Sequence, residues 1–104
     1  MNAGRELDAL VAEKVMGWTN VRFICHGLSL RGEVDGEPSE KVPFYSVDID
    51  AAWDVVEKIG TSFTLERYNR WYVEFGDRYS AAADTAPHAI CLAALKAVGV
   101  EVPE

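Results

Sequence analysis

Residues 84 to 88 read Asp84, Thr85, Ala86, Pro87, His88 and stand before an apolar run that ends near Val98. Thr85 or Asp84 fits a helix N-cap and Pro87 fits the first turn, which leaves the following backbone amides pointing outward as unpaired donors. A helix start of this kind can hold an anion; equally, it can be a helix closed by its own threonine. Tyr45, Ser46 and Asp48 repeat the arrangement ahead of a second apolar-periodic stretch, with an aromatic beside a hydroxyl. If the fold aligns the two helix mouths, Tyr45, Ser46, Thr85 and His88 form one pocket.

Aromatic residues are numerous for the length, and Arg67, Arg70 and Arg78 flank the Trp71 to Phe75 segment. An aromatic platform with arginine beside it suits a base and its phosphates. The expected ligand-binding set is therefore Trp18, Tyr45, Ser46, Arg67, Trp71, Arg78, Thr85 and His88. Other chemistry finds less support. His88 and Cys91 lie three apart, and Cys25 with His26 would complete the ligand count of a zinc site, but neighbours on a strand point to opposite faces. No metal site is expected. Asp84, His26 or His88, and Cys91 can be drawn as a nucleophile with its base, yet there is no nucleophile elbow, phosphate loop or dinucleotide fingerprint. The expectation is a non-catalytic protein with no cofactor.

These residues need a scaffold, and 104 residues suffice for one domain, 1–104, with a single core. Hydrophobic residues at 49% provide enough apolar material to offset the entropy of folding. No apolar run approaches the roughly 20 residues that span a bilayer, and acids in Met1 to Asp8 stand where a signal peptide would be basic, so a cytoplasmic protein is expected. Seventeen acids against ten bases leave a charge of −7, which repels duplex nucleic acid and anionic membranes. A few arginines can still dominate inside a pocket. Cys25 and Cys91 are expected as thiols, both buried.

Leu7, Leu10, Val11, Val15 and Met16 follow helical spacing over Arg5 to Met16, with Gly17 as the stop and Trp18 folding back on the core. Residues 21–27 read as an extended segment and 30–43, rich in glycine, proline and charge, as an exposed loop. Ile49, Ala52, Trp53, Val56 and Ile59 line one face of a second helix, capped by Ser46 or Asp48 and ended by Gly60. Residues 62–67 and 71–75 alternate and predict an antiparallel hairpin, and 76–83 leads into a last helix over 86–98. The result is an α+β fold: a small antiparallel sheet layered with three helices, in the order α-(β)-α-β-β-α. In the last helix Cys91, Leu92 and Leu95 widen the stripe of Ile90, Ala94, Ala97 and Val98 beyond the roughly 100° one neighbour covers. That helix must be buried on more than one side, inside the fold or against a second copy in a homo-oligomer.

Three stretches, LDALVAEKVMGW, YSVDIDAAWDVVEKIG and ADTAPHAICLAALKAVGVE, together resemble the phage α-β-α (ABA) sandwich domain family of small uncharacterised phage and prophage proteins. The resemblance implies a phage or prophage origin, and with it the cytoplasm of an infected host, a sheet layered between helices, and no established catalytic residue. Position 88 departs from the pattern, with His where an apolar residue is expected.

Three functions follow as expectations. The first is a counter-defence protein that sequesters a small nucleotide-derived host immune signal, in a pocket near an oligomer seam on the 86–98 helix. The second is an inhibitor that presents its acidic surface to a host defence or nucleic-acid-binding protein. A small hydrolase is the third.

Overall fold

The computed structural model describes residues 1–102. Helix α1 (Arg5–Lys14) stops where Gly17 takes a φ of +80° and the Trp18 N–H reaches the Ala12 carbonyl at 2.9 Å, so that Trp18 turns back into the interior. Strands β1 (Thr19–Ile24), β2 (Ser29–Glu33) and β3 (Glu40–Lys41) follow, then α2 (Ile49–Ile59). The cap of α2 is Asp48, which accepts from the Asp50 N–H at 3.0 Å, and left-handed Gly60 ends it. Strands β4 (Phe63–Arg67), β5 (Trp71–Phe75) and β6 (Tyr79–Ala83) lead to α3 (Ala86–Ala97), where Thr85 accepts from the His88 N–H at 3.4 Å.

All strand pairing is antiparallel, in two three-stranded sheets, β1-β2-β3 and β4-β5-β6, rather than one. The 30–43 segment is not an exposed loop. It supplies β2 and β3, with Leu30, Gly32 and Val42 facing inward; Arg31, Glu33, Glu40 and Lys41 are carried by the strands themselves, and Asp35, Glu37 and Pro38 fall in the turn between them. A Cβ on Gly32 would lie 2.9 Å from the Trp18 ring, so the glycine that suggested a loop instead admits the indole. Cys25 and His26 do not end a strand. Both take positive φ in the β1–β2 turn, which leaves the Cys25 thiol exposed instead of buried. Residues 79–83 form β6, with Tyr79 opposite Phe75 and Ala83 opposite Trp71. Alanine carries little strand signal, which hid this element.

The expected hairpin is present, with Phe63 opposite Phe75, Leu65 opposite Val73 and Arg67 opposite Trp71. Helix α3 lies on β5 and β6 and touches both other helices, burying nine residues from Ala86 to Leu95. Its apolar run is thus covered within the chain, and a second copy is not needed to explain it. The buried side of α2 is Ala51, Ala52 and Val55, so Ile49 and Trp53 fall on its exposed margin rather than in the core.

The three helices run in one direction. At their starts the Gly4 N–H donates to Ser46 Oγ, just ahead of α2, and the His88 ring meets the Met1 carbonyl at 2.7 Å. At their ends Val15, Ile59 and Val98 line a single groove.

Candidate functional site

At the two helix mouths Tyr45 and Ser46 face inward, whereas Asp48, Asp84 and Thr85 are exposed but engaged locally, with the Asp50 N–H, Arg70 and the His88 N–H. Ser46, fully buried, donates from Oγ to Asp8 Oδ1 at 2.7 Å, and its N–H reaches the same oxygen at 2.7 Å. Arg5 holds Asp8 Oδ2 at 2.8 Å, reaches the carbonyls of Val42 and Pro43, and lies 4.0 Å over the Phe44 ring. This network ties α1 to the chain ahead of α2, and Ser46 is not the α2 cap. Tyr45 is buried beside Trp18, whose side chain hydrogen-bonds it. Burial pushes the Tyr45 hydroxyl up to about 12, helped by the nearby Asp54, Cys91 and Asp8; the Trp18 hydrogen bond opposes this. Trp18, Tyr45 and Ser46 are therefore interior supports.

Arg67 lies 5.5 Å over the Trp71 ring at the helix-start end of the sheet, where Arg70 also pairs with Asp84 at 3.3 Å. Thr85 and His88 are at that end too, Thr85 as a cap and His88 turned to Met1. The drawn set of Asp84, His88 and Cys91 has no common geometry: Asp84 has its arginine, His88 its carbonyl, and Cys91 is fully buried. Burial raises the Cys91 thiol well above its ordinary value, with Asp8 adding to it, which disfavours a thiolate. Among the described residues no three of His, Cys, Asp and Glu cluster to hold a metal ion. No helix among them is long and apolar enough to cross a membrane.

Arg78 stands alone among the expected residues at the opposite end, on the groove where the helices finish. This groove, of about 360 Å³, has a floor that includes Ile59, Phe75, Tyr79 and Val98 and carries Lys58 and Arg78. Arg78 lies 5.5 Å over the Tyr79 ring. The residue before Tyr79 was visible as a basic neighbour of an aromatic; Lys58 was hidden because it comes from α2, twenty residues away.

A second surface was also missed. On α2 the exposed Ile49 (43%) and Trp53 (46%) are one turn apart, next to Val47 (57%). Asp50, Asp54 and Glu57 form the adjoining exposed row, and none of them has a cation within ion-pair distance among the described residues. Trp53 is held by an edge contact to Phe63, with ring centres 5.5 Å apart, which in turn packs on Phe75.

The model of the phage ABA sandwich domain matches residues 9–95. A crystal structure of a phage protein from Bacillus cereus ATCC 14579 is similar to this chain at 28% identity, with a TM-score of 0.80, over 99% of this chain and 95% of that one. No curated protein matches.

Proposed function

The chain belongs to the phage ABA sandwich domain family, and we propose that it acts as a non-catalytic protein-binding module that docks a basic partner on the exposed face of α2. The observation that carries this reading is the pairing of an apolar row, Ile49 and Trp53, with an unpaired acidic row, Asp50, Asp54 and Glu57. Exposed apolar groups rimmed by charge mark interaction surfaces, and tryptophan is a frequent anchor. The edge contact with Phe63 holds the indole before a partner arrives, which reduces the ordering cost of binding. A net charge of −7 steers a basic partner from a distance. An inhibitor of a host defence or nucleic-acid-binding protein, working in the host cytoplasm, fits this chemistry.

The test is capture from infected-cell lysate with the wild-type chain, Trp53→Ala, and Asp50→Asn combined with Asp54→Asn. A basic partner bound stoichiometrically by the wild type, lost from both variants and released by salt, is expected. A partner held equally by all three places docking elsewhere. Sequestration of a nucleotide-derived signal is the second reading. Arg78 on an open groove favours it, while the scatter of the other seven expected residues counts against a common pocket.

A further inference from the structure

The groove at the helix ends combines features that the rest of this surface separates. Its floor is apolar and aromatic, with Ile59, Phe75, Tyr79 and Val98. Both of its basic residues, Lys58 and Arg78, lack a carboxylate within ion-pair distance among the described residues. In a chain with seventeen acids and ten bases, two unpaired cations on one apolar concavity are a local reversal of sign. The groove's volume of about 360 Å³ falls in the range of small-molecule sites.

A counterweight sets which anion fits. Three helices finish at this groove, and each helix C-terminus carries a partial negative charge. A lysine stands in the last turn of each helix, Lys14, Lys58 and Lys96, but only Lys58 lines the groove. Within the groove a polyanion such as a nucleoside triphosphate has only Lys58 and Arg78 to answer its several charges, close to three helix ends. A ligand with one charge can place it between Lys58 and Arg78 and leave its uncharged body on the floor.

We infer that this groove binds a small ligand made of a flat apolar body and a single anionic group, carboxylate or sulfonate in type, with Lys58 and Arg78 on the charge, Ile59 and Tyr79 under the body, and buried Phe75 supporting them from beneath. This site is separate from the docking face. The apolar anchors of that face, Ile49 and Trp53, lie about 13 and 7 Å along α2 from Lys58 at 1.5 Å per residue, and Glu57 marks the boundary between the two.

The experiment is an amide-resolved NMR titration of the chain with 2-naphthoate, with the neutral 2-naphthylmethanol, and with ATP as competitor. The expected result is shifts at Thr61, Gly76, Arg78 and Val98, with naphthoate bound about tenfold more tightly than the alcohol, the size of a charge-assisted contact at a partly exposed site. Lys58→Ala with Arg78→Ala removes that preference and leaves alcohol binding unchanged, and excess ATP does not displace naphthoate. Absence of shifts at those amides with millimolar naphthoate overturns the inference. Equal affinity of acid and alcohol in the wild type, or displacement by ATP, overturns it as well. None of these results bears on capture of a basic partner by α2, so the two readings fail independently.

Discussion

Asp8 and Ser46 are joined twice through one atom: Asp8 Oδ1 accepts from both the backbone N–H and the hydroxyl of Ser46, each at 2.7 Å. Both residues are fully buried, and the other carboxylate oxygen is held by Arg5. A buried carboxylate is tolerable only with such partners. Asp8→Ala strips the buried Ser46 N–H of its acceptor and leaves Arg5 with only the Val42 and Pro43 carbonyls, and should cost about 3 kcal/mol, with Ser46→Ala costing about 1–2 kcal/mol. Denaturant unfolding of both single variants and the double variant measures the coupling; additive losses would show that the two residues do not act as a unit.

Gly32 has ordinary backbone angles, so its requirement is steric alone. A Cβ there meets Trp18 Cε3 at 2.9 Å and Val21 Cγ2 at 3.1 Å. Gly32→Ala should destabilise by about 1–3 kcal/mol through overpacking and should alter Trp18 emission. An alanine variant of wild-type stability would mean that the indole has room to move.

Thr85 caps α3 through a long bond of 3.4 Å. Thr85→Ala should therefore lower stability by about 0.5–1 kcal/mol, toward the weak end for caps, and leave naphthoate binding unchanged. A loss of partner or ligand binding with stability intact would make the start of α3 a site after all.

Tyr45 titrates near 12 in the folded chain against about 10 when unfolded. Between those values the folded state holds the proton that the unfolded state has released, so the stabilisation is complete below about pH 10 and falls as pH rises toward about 12. Thermal unfolding at pH 8 and pH 11 should show a drop that shrinks in Tyr45→Phe. An equal drop in both proteins would assign the alkaline loss to other groups, the Cys91 thiol first.

The elements that carry their own periodicity were legible in the sequence. Helix α1, helix α2 and the hairpin of Phe63 to Phe75 repeat apolar residues at spacings their backbones impose, and α3 announced its burial by having almost no polar side. Strand β6 was not legible because Ala81 and Ala83 are inward yet small, and in the first sheet the extended β1 was legible but β2 and β3 were not, because their glycine and charge mimic a loop. The candidate site fared worse for a related reason. Ser46 has the chemistry of a cap, but Asp8, 38 residues earlier, claims it, and no local spacing records that pairing. Lys58 and Arg78 meet only because α2 and the β5–β6 turn finish at the same end.

The central position of α3 has a consequence for how the chain acquires its shape. Among the described residues it is the ninth of nine elements, yet it touches β5, β6, α1 and α2. Without α3, the second sheet, α1 and α2 lose the one element against which all of them pack, and only local links such as Asp8 to Ser46 and Trp53 to Phe63 remain. A break anywhere in residues 86–97 is therefore expected to unfold the chain as a whole rather than to weaken one part of it.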